Sequence, residues 1–207
     1  MTASLNDLYP KMKKIIRLCF DFLALIHFCG RVRCIAPHKK LRRIGAVTYV
    51  DPCAITHSVS DSVLRQAIKD CIMSSVQPIG CGQIASVSEM DIVSAYQKRF
   101  VDKRDWYETE YYHRVCDQIK SGIKKFGCAS IEAFDARLKL DEQHFKTIRD
   151  GGYKSQMELG SLKPWDEVRV VRRWDGSFLF VDGRHRLATA KVLQIPCIPV
   201  MIVAIEV

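Results

Sequence analysis

The stretch "VDGRHRLATAKVL" (181–193) sets Arg184, His185 and Arg186 directly after Gly183, in what reads as the first turn of a helix. The free N–H groups of a helix start already make that end positive, so each cation placed there loses about 0.3 to 1 kcal/mol. An anion offsets this cost. Gly183 removes a side chain from the approach, the first-turn amides point outward, and arginine grips phosphate oxygens in a bidentate fork. Gly183, Arg184, His185 and Arg186 are therefore candidate phosphate-binding residues. The competing reading pairs these arginines with Asp182, Asp166 or Glu167 and leaves an ordinary strand-to-helix turn.

A turn of this kind needs a strand before it and a helix and strand after it. "EVRVV" (167–171) and "SFLFV" (177–181), joined through Asp175 and Gly176, predict a hairpin. The apolar run Val200–Ile205 predicts a buried strand, with Pro196 and Pro199 ahead of it, where a missing N–H costs least. Upstream, "AVTYVDPCAI" (46–55) reads as a strand closed at Asp51 and Pro52. Between these β segments the spacing predicts helices. Asp61 is placed to cap one carrying Leu64, Ala67, Ile68, Cys71 and Ile72, and "QPIGCGQ" (77–83) breaks it. Ser88 with Asp91 forms a capping-box pattern ahead of Ile92, Tyr96 and Phe100. Thr109 is placed to cap Tyr112, Val115, Cys116 and Ile119. Ser130 is placed to cap Ile131, Phe134, Leu138, Phe145 and Ile148, with Gly151 and Gly152 as the stop. The expected class is α+β, with a small mixed sheet and a helical block at about 60–150.

The chain carries 207 residues and a formal charge of +9. Residues 11–43 hold ten Lys or Arg against one acid, Asp21, so the basicity sits in an N-terminal segment, residues 1–45, ahead of a nearly neutral domain at 46–207. The apolar run between Arg17 and Arg31 is too short to span a bilayer. Its helical pattern suits packing on the domain or lying on an anionic membrane surface, with "HKKLRR" (38–43) adding attraction to phosphate. Nine cysteines without C-x-x-C pairs, and no secretory signal, predict reduced, mostly buried thiols in a cytoplasmic protein and no metal site. "RDWYETEYYHR" (104–114) is a packing cluster or a stacking surface for a base, with Trp106 and Tyr112 as anchors. Arg169, Arg172 and Arg173 read as solvated or as an extension of a phosphate surface, and His113 and His144 as structural.

"VDGRHRLATAKVLQIPCIPVMIV", with "VTYVDPCAI" and "FKTIRDGGYKSQ" (145–156) upstream, resembles the ParB/sulfiredoxin-like fold over residues 46–55 and 141–207. The resemblance implies a Gly-x-[His/Arg]-Arg phosphate turn. Sulfiredoxins carry cysteine where this chain has Arg184, so sulfinic acid reduction is not implied. Chromosome-partitioning ParB proteins add a helix-turn-helix reader that is not expected within these 207 residues. Free serine kinases of this fold use an Asp-Gly-x-His-Arg turn on nucleotide phosphates, which Asp182, Gly183, His185 and Arg186 match. The acid that would act as base has no secure counterpart; Glu167 and Asp166 are the nearest. Two functions follow. One is binding of a nucleotide (ATP, ADP or CTP) with Mg²⁺, as a phosphotransferase or nucleotide hydrolase using Asp182, His185 and Glu167. The other is a non-catalytic module that grasps nucleic-acid phosphate.

Overall fold

The computed structural model describes residues 41–60, 63, 84–161 and 163–206. The expectations for residues 1–40, and nearly all of the helix expected after Asp61, lie outside these residues. Six strands form one mixed sheet: β1 (Leu41–Val50), β2 (His57–Val59), β3 (Ile84–Ser86), β4 (Val168–Arg172), β5 (Phe178–Asp182) and β6 (Ile198–Glu206), in the order β1-β6-β4-β5-β2-β3. Among the described residues four α-helices accompany it: α1 (Asp91–Tyr96), α2 (Glu110–Lys120), α3 (Ile131–Gly151) and α4 (Arg184–Val192). The protein is therefore α+β. No helix among the described residues is long and apolar enough to cross a membrane.

The β4–β5 hairpin forms antiparallel, as its turn residues predict, and Gly176 at its tip adopts φ +83°. On the other side, β4 runs parallel to β6. Valines alternate across this centre. Val168, Val170, Val200 and Ile202 pack with Leu187 and Ala190 of α4, while Val171, Leu179, Val181 and Ala204 form a smaller cluster with Val59. On its remaining side α4 meets the helical block, where Ala188 joins Tyr96, Tyr111, Phe134 and Phe145. Leu187, Ala188, Thr189 and Ala190 are all buried, so α4 is the central helix, enclosed by sheet and helices. Its small residues allow that close packing, and Leu187 alone contributes about 1.5 to 3 kcal/mol by its burial.

Several local expectations are corrected. β1 begins at Leu41, five residues before the expected start at Ala46, so part of "HKKLRR" pairs with β6. The three-residue strands β2 and β3 fall in and beside the region read as helical. They are too short to show alternation in sequence. The Ser88 capping box does not form: α1 starts at Asp91 after Met90 without a side-chain cap, Ser88 bonds Ser86 at 2.7 Å, and Asp91 holds Arg114. The caps at Thr109 and Ser130 do form, each accepting an amide N–H at 3.2 Å. Pro199 lies inside β6 opposite Tyr49, one residue short of the pairing with β4, so its missing N–H takes no bond from the central ladder. On α2 it is Tyr111 that is fully buried, not Tyr112. Of the four described cysteines, Cys116 and Cys128 are buried and Cys53 and Cys197 exposed; the other five lie outside the described residues.

Glycine has two different uses here. At Gly176 a Cβ would meet open space; at Gly183, φ +94°, it would sit 2.9 Å from the Cα of Val168. Alanine at Gly176 costs the left-handed backbone penalty alone, about 1 to 2 kcal/mol. Alanine at Gly183 adds an overpacking cost of about 1 to 3 kcal/mol, because β4 must shift. Urea unfolding of both variants should show the larger loss at Gly183; equal losses would mean that the contact with β4 yields freely.

Candidate functional site

Gly183 is the N-cap of α4, and no side chain caps the helix. Asp182 accepts the Gly183 N–H through Oδ1 at 2.8 Å, while its Oδ2 takes the guanidinium of Arg169, its partner in the β4–β5 register. Burial pushes the Asp182 carboxyl up, but Arg169 and the Gly183 amide outweigh it and hold the group below its usual range. Asp182 is thus engaged through both oxygens.

Arg186 reaches back under the sheet end. Its Nη1 lies 2.8 Å from Glu167 Oε2 and donates to the Asp166 carbonyl at 3.1 Å; its Nη2 donates to the Lys154 carbonyl at 2.8 Å. The contact with Oε2 is an ion pair off the line of an N–H, not a formed hydrogen bond. The guanidinium also stands 4.7 Å over the Tyr153 ring. Glu167, only 3% exposed, accepts the Gln156 N–H through Oε1. Burial raises the Glu167 carboxyl above its ordinary value, and the Gln156 amide and Arg186 offset this only in part.

His185 points the other way around the helix. Its Nδ1 lies 3.1 Å from Asp141 Oδ2 and 3.2 Å from Tyr96 Oη. Its Nε2 is buried without a hydrogen-bond partner, and the edge of Phe126 lies against the ring at 5.4 Å between centroids. Asp141, 3% exposed on α3, also accepts from Arg137 Nε at 3.1 Å. Burial would raise its carboxyl, yet His185 and Arg137 bring it below the usual value. Arg184 takes a third direction, 5.9 Å over Phe126 and beside Asp91, Glu110 and Arg114.

A cleft of about 660 Å³ opens between α3 and the first turns of α4. Arg137, His144, Lys154, His185 and Arg186 border it, with Asp141 and Asp166 as the acids. The expected site residues therefore divide: His185 and Arg186 meet at the cleft, Arg184 lines a separate depression, and Glu167 lies buried against Arg186. No three His, Cys, Asp or Glu side chains converge to hold a metal ion among the described residues. Trp106 and Tyr112 belong to the helical packing: Trp106 Nε1 donates to Glu142 at 2.9 Å and Tyr112 Oη to Asp135 at 3.0 Å. Asp141, Tyr96 and Lys154 were not anticipated. For Asp141 a signal exists, since it falls in register with the buried Phe134, Leu138 and Phe145, a charge on the core face of α3.

Replacing Arg186 with alanine leaves Glu167 buried without its cationic partner, held only by the Gln156 N–H. The loss should be about 3 kcal/mol at pH 7 and should shrink as pH falls, because the raised Glu167 carboxyl then takes a proton. Asp141→Asn behaves differently, costing about 1 to 3 kcal/mol near neutrality. Its deficit holds steady above the usual Asp value of 3.8 and narrows only below it, where the wild type protonates the depressed Asp141. Urea melts of both variants across pH 3 to 7 check the two opposed positions of these carboxyls. Scans of protein-family models, curated proteins and solved structures give no match to this chain.

Proposed function

We propose that this chain is a ParB/sulfiredoxin-like domain that binds a nucleotide through its phosphates in the cleft beside the Asp182–Arg186 turn. The observation that carries the reading is the cleft itself: five cationic or protonatable side chains border it against two acids, at the start of a helix that no side chain caps. Its volume of about 660 Å³ suits a molecule of nucleotide size. Lys154 and His144 are exposed at its border, and Arg186, its side chain 20% exposed and fixed by Glu167 and two main-chain carbonyls, adds a positioned positive charge. Mg²⁺ would arrive on the phosphates, since among the described residues no cage of carboxylates is formed to receive it.

The geometry favours binding over phosphotransfer or hydrolysis. Asp182 is committed to Arg169 and Gly183, Glu167 to Arg186 and Gln156, and His185 keeps Nδ1 on Asp141 and Nε2 buried. A general base needs an available atom within hydrogen-bond reach of its proton, so catalysis would require one of these pairs to open on ligand entry.

The test is a thermal-shift panel of ATP, ADP, CTP and GTP with Mg²⁺ on wild type, Arg186→Ala and Lys154→Ala. A ligand at a hundred times its Kd adds about 2.7 kcal/mol of stability. The expected result is a wild-type shift that both variants diminish, with Lys154→Ala, a surface change, keeping the unliganded fold. No shift from any nucleotide overturns the reading. Binding of a polynucleotide that collapses between low and moderate salt would support a nucleic-acid module instead.

A further inference from the structure

The lining of the cleft has a second, apolar character. The turn Gln156–Gly160 closes on itself: Ser155 bonds Glu158 Oε2 through both its N–H and its hydroxyl at 2.7 Å, the Leu159 N–H reaches the Ser155 carbonyl at 3.0 Å, and the Ser161 N–H reaches the Gln156 carbonyl at 2.8 Å. This compact turn is fastened below by the Gln156 N–H on Glu167 and, just upstream, by the Lys154 carbonyl on Arg186. What it displays is apolar. Leu159 is 59% exposed and borders the cleft, and Met157 beside it is 84% exposed. The same lining includes Ile148 and the side-chain-free backbone of Gly151 and Gly152, and a Cβ on either glycine would meet nothing within 4 Å.

A large apolar side chain held largely in water by a fixed turn, on the lining of a cationic cleft, gains little for the fold. It gains by covering an apolar face of whatever enters, at about 25 cal/mol for each Å² taken from water. We infer that Leu159 is a specificity residue that holds the planar base of a nucleotide against this uncharged part of the lining while the phosphates lie toward His185, Arg186 and Lys154. This rests on the reading of the cleft as a nucleotide site and assigns the two parts of its lining. The polar part accepts any polyphosphate; the Leu159 part selects ligands that carry an aromatic base.

Isothermal titration of the full chain with ATP, inorganic tripolyphosphate and ribose 5-phosphate, each with Mg²⁺, tests the assignment. Wild type should bind ATP at least 10-fold more tightly than tripolyphosphate, a ratio worth about 1.4 kcal/mol. Leu159→Asn, an exposed change that leaves the core untouched and adds no charge, should reduce that ratio to near unity with tripolyphosphate affinity changed little, and Leu159→Met should restore it. Equal affinity of wild type for ATP and tripolyphosphate, or a ratio that survives Leu159→Asn, overturns the assignment while leaving the phosphate site standing. Binding of none of the three overturns both.

Discussion

Between β5 and α4 the chain turns within one glycine, and there is room there for nothing larger: a Cβ on Gly183 would come to 2.9 Å from the Cα of Val168. This contact draws the start of α4 against the beginning of β4. Only from that distance can Arg186 reach Glu167, the residue before Val168, and only with β4 and β5 in this register can Arg169 meet Asp182. The φ of +94° and the close approach demand the same residue for separate reasons.

The cations of the first turn then stop being an anomaly. Arg186 faces the helix dipole at a cost of about 0.3 to 1 kcal/mol, yet it meets the buried Glu167 ahead of β4, and His185 beside it meets the buried Asp141 from the middle of α3. Losing Arg186 from its pair with the buried Glu167 costs about 3 kcal/mol, so the local repulsion is the smaller quantity. The pairs also act as position markers. Arg186 fixes α4 to the sheet end and the following loop, whereas His185 fixes it to α3, and the cleft is the space left between those two attachments. In this sense the question raised by "GRHR" has a twofold answer, in which protein acids already neutralise part of the charge that phosphate is proposed to meet.

Much of the frame was legible in sequence because its signals are local. Asp175-Gly176 gave the hairpin, Thr109 and Ser130 gave two helix starts, and the unbroken apolar run after Pro199 gave an interior strand. What failed to show is what depends on distance along the chain. Strands of three residues, such as Ile84–Ser86, have no period to read, and their partners lie far away. The capping pattern at Ser88 was outcompeted by a bond to Ser86 and by the pull of Arg114 on Asp91. The site followed the same rule. Gly183, His185 and Arg186 announce themselves as a contiguous motif, but Asp141 is 44 residues from His185, and only its place on the apolar stripe of α3 hints at a buried role.

The double fastening of the segment after α3 has a consequence for recognition. Lys154 and Gln156 are held by their main-chain atoms, not by their side chains, so the rim keeps these two anchors whatever side chains stand at 154 and 156. Ordering a free loop around a guest costs conformational entropy residue by residue. A rim assembled during folding has met that cost in advance, and its side chains are at liberty to diversify toward different guests without rebuilding the scaffold beneath.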